Sequence, residues 1–123
     1  MYTITDLGRS NSANLAPGID RVFRSTDLST TSMLYLKAGH GVDWHAHESE
    51  QTTFIVSGSI RFWFEHEDNN YVDLGPFSLL VIDSWVPHRA TAIEDTIDVD
   101  FFNPPRSDWQ TEGNLSYFSK IEI

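Results

Sequence analysis

The chain has 123 residues, room for one hydrophobic core and too few for two. Its 18 acidic residues against 8 basic ones give a formal net charge of −10, which argues against nucleic acid and anionic membrane surfaces as partners. There is no cysteine, so disulfides, thiolate metal sites and cysteine nucleophiles are excluded.

The first residues, Met1-Tyr2-Thr3-Ile4-Thr5-Asp6, lack the basic and apolar runs of a signal peptide, and no apolar stretch approaches a membrane span. A soluble cytoplasmic protein is therefore expected. Ser10–Gly18 is rich in Ser, Asn, Pro and Gly and reads as an irregular connection. Beyond it, short apolar runs broken by turn residues follow one another at the spacing of an all-β sandwich or barrel. Strands are predicted over Ser32–Leu36, Thr53–Val56, Ile60–Phe64, Leu79–Ile82, Thr96–Phe102 and Leu115–Ile123, with no amphipathic helix. Alternation puts Ile60, Phe62 and Phe64 on one face and Arg61, Trp63 and Glu65 on the other. Ser57-Gly58 reads as a tight hairpin turn, and Glu67–Asn70 as a second, solvated one. Pro104-Pro105 ends the last long strand and forces an extended turn.

Of five histidines, three fall into one arrangement. His45 and His47 are separated by one residue, so an extended strand carries both imidazoles on one face, and Gln51 has the same parity. Glu48 and Glu50 have the opposite parity and point away, unless a bulge puts Glu50 in the place of Gln51. His88 follows about forty residues later in another apolar, strand-like run. Three imidazoles and one amide oxygen would hold one divalent transition metal, with Fe, Ni, Zn, Mn and Co all open. His40, in a glycine turn, and His66, in the acidic hairpin, read as solvated. Trp44, Trp63 and Trp85 read as packing residues. Trp85, three residues before His88, is the one placed to touch a ligand.

Gly39, His45, His47, Gln51 and Gly58 fall on the spacings of the first motif of the cupin superfamily, with Gln where Glu is usual. Pro76 to His88 resembles the second motif, with Phe77, Asp83 and Trp85 in place of the usual Gly, Pro and Gly. The resemblance covers about residues 30–106. It implies a single cupin domain over 1–123, a jelly-roll β-barrel holding a metal through His45, His47, Gln51 and His88. A neutral ligand set leaves the metal its full +2 charge, which suits an anionic or chelating ligand.

Asp98-Val99-Asp100-Phe101-Phe102-Asn103-Pro104-Pro105-Arg106 resembles the strand end of the pectin-degradation cupins of the KdgF type. In that group three His and one Gln bind the metal, and an Asp, a Phe and an Arg line the site where cyclic unsaturated uronates are converted to linear ketones. Those roles map onto Asp100, Phe102 and Arg106. On its own chemistry, an inward Asp100 would accept or donate a proton, and Arg106 would grip a carboxylate bidentately. The expectation is a metal-dependent enzyme on a small, anionic, uronate-like substrate, by isomerase, lyase or ring-opening chemistry. A non-haem iron dioxygenase and a non-catalytic ligand-binding cupin are the alternatives. A homodimer is expected, because a small barrel leaves sheet edges open, with Trp63 as a candidate contact.

Overall fold

A computed structural model describes residues 1–110 and 117–123 of the chain. Its strands are β1 (Ala13–Ala16), β2 (Ile19–Ser25), β3 (Thr30–Leu36), β4 (His40–His45), β5 (Glu50–Ser57), β6 (Ile60–Phe64), β7 (Tyr71–Leu74), β8 (Leu79–Ile82), β9 (His88–Ala92), β10 (Thr96–Asn103) and β11 (Phe118–Lys120). They form two antiparallel sheets, ordered β1-β2-β3-β10-β5-β8 and β11-β4-β9-β6-β7. The helical content is two short 3-10 turns, Arg9–Asn11 and Ser107–Gln110. This is the expected all-β jelly roll.

The predicted strands are present, some with longer ends. Of the Leu115–Ile123 run the structure shows Phe118–Lys120, while residues 115 and 116 lie outside the described residues. Ser10–Gly18 is not wholly irregular, since β1 pairs there with β2 through a turn in which Gly18 has φ 79°. Glu67–Asn70 does lie in the β6–β7 hairpin. Ser57-Gly58 makes a turn but no hairpin, because β5 and β6 belong to different sheets. The chain turns a corner there, with Gly58 at φ 87° and so close to Asp95 that a Cβ would lie 2.2 Å from its carbonyl oxygen.

The two sheets close on Ile19, Leu36, Ile55, Ile60, Phe62, Ile82 and Ala92, all buried. On β10 the usual alternation is inverted: Thr96, Asp98, Asp100 and Phe102 are buried, while Ile97, Val99 and Phe101 lie on the other face. The registers extend the pattern across the sheet. Asp98 pairs with Leu34 and Ile55, Asp100 with Ser32 and Thr53, and Phe102 with Thr30 and Gln51. The barrel interior is thus apolar at one end and polar at the other, and the polar end is where the histidines arrive.

Candidate metal centre

His45 ends β4 and His88 begins β9, directly opposite one another in register. His47 is two residues beyond β4, in the loop before β5, and Gln51 lies on β5 in the facing sheet. Parity along one strand therefore does not unite the set, as the sequence suggested; a loop crossing between the sheets does. Glu50 is exposed and Gln51 buried, so no bulge exchanges them.

Nitrogens of His45, His47 and His88 lie within 4.8 Å of one another. His45 Nδ1 is 2.8 Å from the Asp43 carbonyl oxygen, His47 Nδ1 2.9 Å from that of Ser49, and His88 Nδ1 2.9 Å from that of Val86. A carbonyl only accepts, so each Nδ1 carries the proton and each Nε2 a lone pair. Gln51 Nε2 donates to Thr53 Oγ1 at 2.8 Å, which turns Gln51 Oε1 toward His47 Nε2, 3.1 Å away. His88 Nε2 is buried with no hydrogen-bond partner among the described residues. Burial lowers the pKa of His47, brings His45 down to about 4, and, with His45 beside it, brings His88 down to about 2. Three neutral imidazoles and an amide oxygen with converging lone pairs fit a divalent metal.

A cavity opens beside this cluster, lined by His45, Gln51, His88, Asp98, Asp100, Phe102, Arg106, Trp109 and Tyr117 among others. Asp100 is held by Thr53 Oγ1, which donates to its Oδ1 at 2.6 Å. Arg106 is buried rather than a surface charge. Its Nε and Nη2 donate to the two carboxylate oxygens of Asp108, at 2.9 and 2.7 Å, and Nη2 also donates to the Tyr117 hydroxyl at 3.1 Å. The fork expected to meet a substrate is thus already engaged inside the protein.

The family model for the cupin domain matches residues 32–103. The chain belongs to the cupin family. Among solved structures, this cupin is similar to KdgF from Halomonas sp., at 26% identity and a TM-score of 0.72, covering 80% of this chain and 92% of that one. An RmlC-like cupin from Shewanella frigidimarina matches at 20% identity and a TM-score of 0.72, covering 80% and 87%. An oxalate decarboxylase from Bacillus subtilis with Mn(II) centres matches at 19% and 0.67, covering 84% of this chain but only 30% of the other. No curated protein matches the sequence. None of the helices among the described residues is long and apolar enough to cross a membrane.

Two of the sequence expectations for this cupin are redirected. The Trp85 side chain is 63% exposed and does not line the cavity; its backbone N–H instead donates to the His47 carbonyl at 2.8 Å. Trp63 is buried, under the Arg89 guanidinium carbon 4.4 Å from its ring centroid, and is not free to meet a second chain. His40 and His66 are outside the three-histidine group, although His40 packs over Gly18 rather than standing free in solvent.

Several residues of the site were not singled out from sequence. The Tyr117 ring stacks on His45, with centroids 5.0 Å apart and planes 6° from parallel. Trp109 lies under the guanidinium carbons of both Arg21, at 4.1 Å, and Arg106, at 4.7 Å. Asp98 sits two residues from Asp100 on the same face, and burial raises the pKa of both carboxyls, that of Asp98 further because Asp100 is beside it. The spacing of Asp98, Asp100 and Phe102 was the available signal, since a strand with acids at alternate positions turns them all inward or all outward.

Proposed function

We propose that this cupin is a metal-dependent enzyme acting on a small, oxygen-rich, uronate-like carboxylate by non-oxidative isomerase, lyase or ring-opening chemistry. The observation that carries the reading is that His45, His88, Gln51, Asp100 and Arg106 all line one cavity. The likeness to KdgF across 92% of that chain supports the substrate class.

His45, His47 and His88 through Nε2, and Gln51 through Oε1, would hold one divalent metal per chain. Bound there, it supplies Lewis acidity toward a carbonyl or hydroxyl oxygen. Asp100, oriented by Thr53 and with its pKa raised by burial, accepts or returns the substrate proton. Arg106 attracts the substrate carboxylate. With Nε and Nη2 already on Asp108, the contact is left to Nη1, and Phe102, 5.0 Å beneath the guanidinium carbon, holds its plane. The test is turnover of unsaturated uronates by metal-loaded protein under strict anaerobiosis. Activity is expected; turnover that requires oxygen would replace the reading with the dioxygenase one.

The proposal includes a cytoplasmic homodimer. Its contact surface is the outer face of the six-stranded sheet, where the inverted β10 exposes Phe101 and edge strand β8 exposes Leu79 and Val81 beside Phe77.

A further inference from the structure

Most buried polar side-chain atoms in a folded protein are paired, so the exceptions mark places where something else completes the bonding. Among the described residues, two such atoms lie on the inner face of the adjacent strands β3 and β10, away from the histidines. They are Asp98 Oδ1 and Ser32 Oγ, in residues that are 2% and 0% exposed. Asp98 lines the cavity, two positions deeper along β10 than Asp100, and its strand neighbours in register are the apolar Leu34 and Ile55. Ser32 stands opposite Asp100 on β3, a diagonal neighbour of Asp98.

We infer that Asp98 forms a hydroxyl-binding subsite at the deep end of the cavity, in which a ligand hydroxyl donates to Asp98 Oδ1, with Ser32 Oγ, buried on the neighbouring strand behind the cavity wall, adding to the polarity of that end. This rests on the substrate class proposed above and extends it: the ligand is hydroxylated at the end remote from its metal-bound oxygen. Asp98 Oδ1 has no hydrogen-bond partner among the described residues, so it is left as an acceptor. An apolar ligand of the same size would leave that atom unpaired, and the site would reject it.

The test compares D-galacturonate with cyclohexanecarboxylate, a ring carboxylate with no hydroxyls, on metal-loaded protein by calorimetry. Wild type is expected to prefer D-galacturonate. Asp98→Leu should weaken D-galacturonate by about tenfold or more and leave cyclohexanecarboxylate within about twofold. Asp98→Asn keeps a free Oδ1 and can donate its amide to Asp100, so it should retain most of the preference. Equal losses with both probes, or an Asp98→Asn variant as poor as Asp98→Leu, would overturn the subsite. If wild type binds neither probe, the uronate-like reading itself fails. The subsite then stands on thermal melting, where Asp98→Leu should raise Tm because the buried carboxyl is held for a ligand rather than for the fold. A lower Tm in that case would overturn it.

Discussion

His47 Nε2 and Gln51 Oε1 face each other at 3.1 Å, each presenting a lone pair and neither able to donate. Such a contact is unfavourable without a cation and favourable with one. Metal loading should therefore raise Tm reversibly, by an amount corresponding to about 2.7 kcal/mol at a free metal concentration one hundred times Kd. Gln51→Ala should weaken binding less than loss of an imidazole. A melting curve indifferent to added metal and to chelator would contradict both statements.

His45→Ala and His88→Ala should each remove most bound metal and leave the β fold in place. The apolar end of the barrel, around Ile55, Ile60 and Phe62, does not depend on the imidazoles. Elemental analysis and far-ultraviolet circular dichroism would check this. Near-stoichiometric metal in either variant would show that the donor set is different.

The buried imidazoles also set a pH dependence. His45 and His88 are shifted down to about 4 and about 2, whereas in the unfolded chain they take up protons near 6.5. The unfolded state then binds more protons below that value, so apo-protein stability is full above about 6.5 and falls as the pH drops. At pH 7 metal should displace no imidazole proton, and the binding enthalpy should be the same in buffers of different ionisation heat. Release of one proton or more would disprove neutral ligands.

Arg106→Ala should cost stability as well as activity, because it takes the guanidinium away from Asp108 and removes one of two donors to the Tyr117 hydroxyl. With Asp108 one-third exposed, a loss of about 1–3 kcal/mol is expected. Arg106→Lys should restore part of the stability, while a carboxylate substrate should still suffer more than its amide analogue. Equal defects with the two substrates would mark Arg106 as purely structural.

Phe77 and Trp85 stand at φ 67° and 65°, a region that glycine occupies without strain and where a side chain costs about 1–2 kcal/mol. Both replace the glycines of the second cupin motif, so the backbone has kept a glycine conformation without the glycine. Trp85→Gly should raise Tm, since its exposed ring contributes little packing. Light scattering of Phe77→Gly combined with Val81→Lys should show a shift from dimer to a monomer of about 14.0 kDa, and an unchanged mass would remove this face as the contact.

What the sequence revealed depended on how local each signal was. His45, His47, Gln51 and His88 were legible because their spacing reflects the short segment and single corner that bring them together. Their route was not, since a loop between sheets and a continuous strand give the same parity. Ser57-Gly58 misled in the same way: a tight turn looks alike whether it returns within a sheet or crosses to the next. Strand β2 was missed because Arg21 is buried in its middle, breaking the apolar pattern, and β7 because Tyr71, Val72 and Asp73 are exposed. Tyr117 and Trp109 reach the site from beyond the motif, where no spacing rule connects them to it.

Arg21 and Arg106 both stack on Trp109, buried, in a chain that has only 8 basic residues. The same interior holds Asp98 and Asp100, and Arg106 is paired with Asp108, so the buried cations are met by acids and the net acidity of the chain is carried by its exterior. A long polyanion meets mostly repulsion, because few of its charges can enter while the rest remain outside. A single small anion meets that rim once, on its way to the Arg106 and metal positions proposed above. That distribution would favour a small anion over a long polyanion, in keeping with the substrate size proposed above.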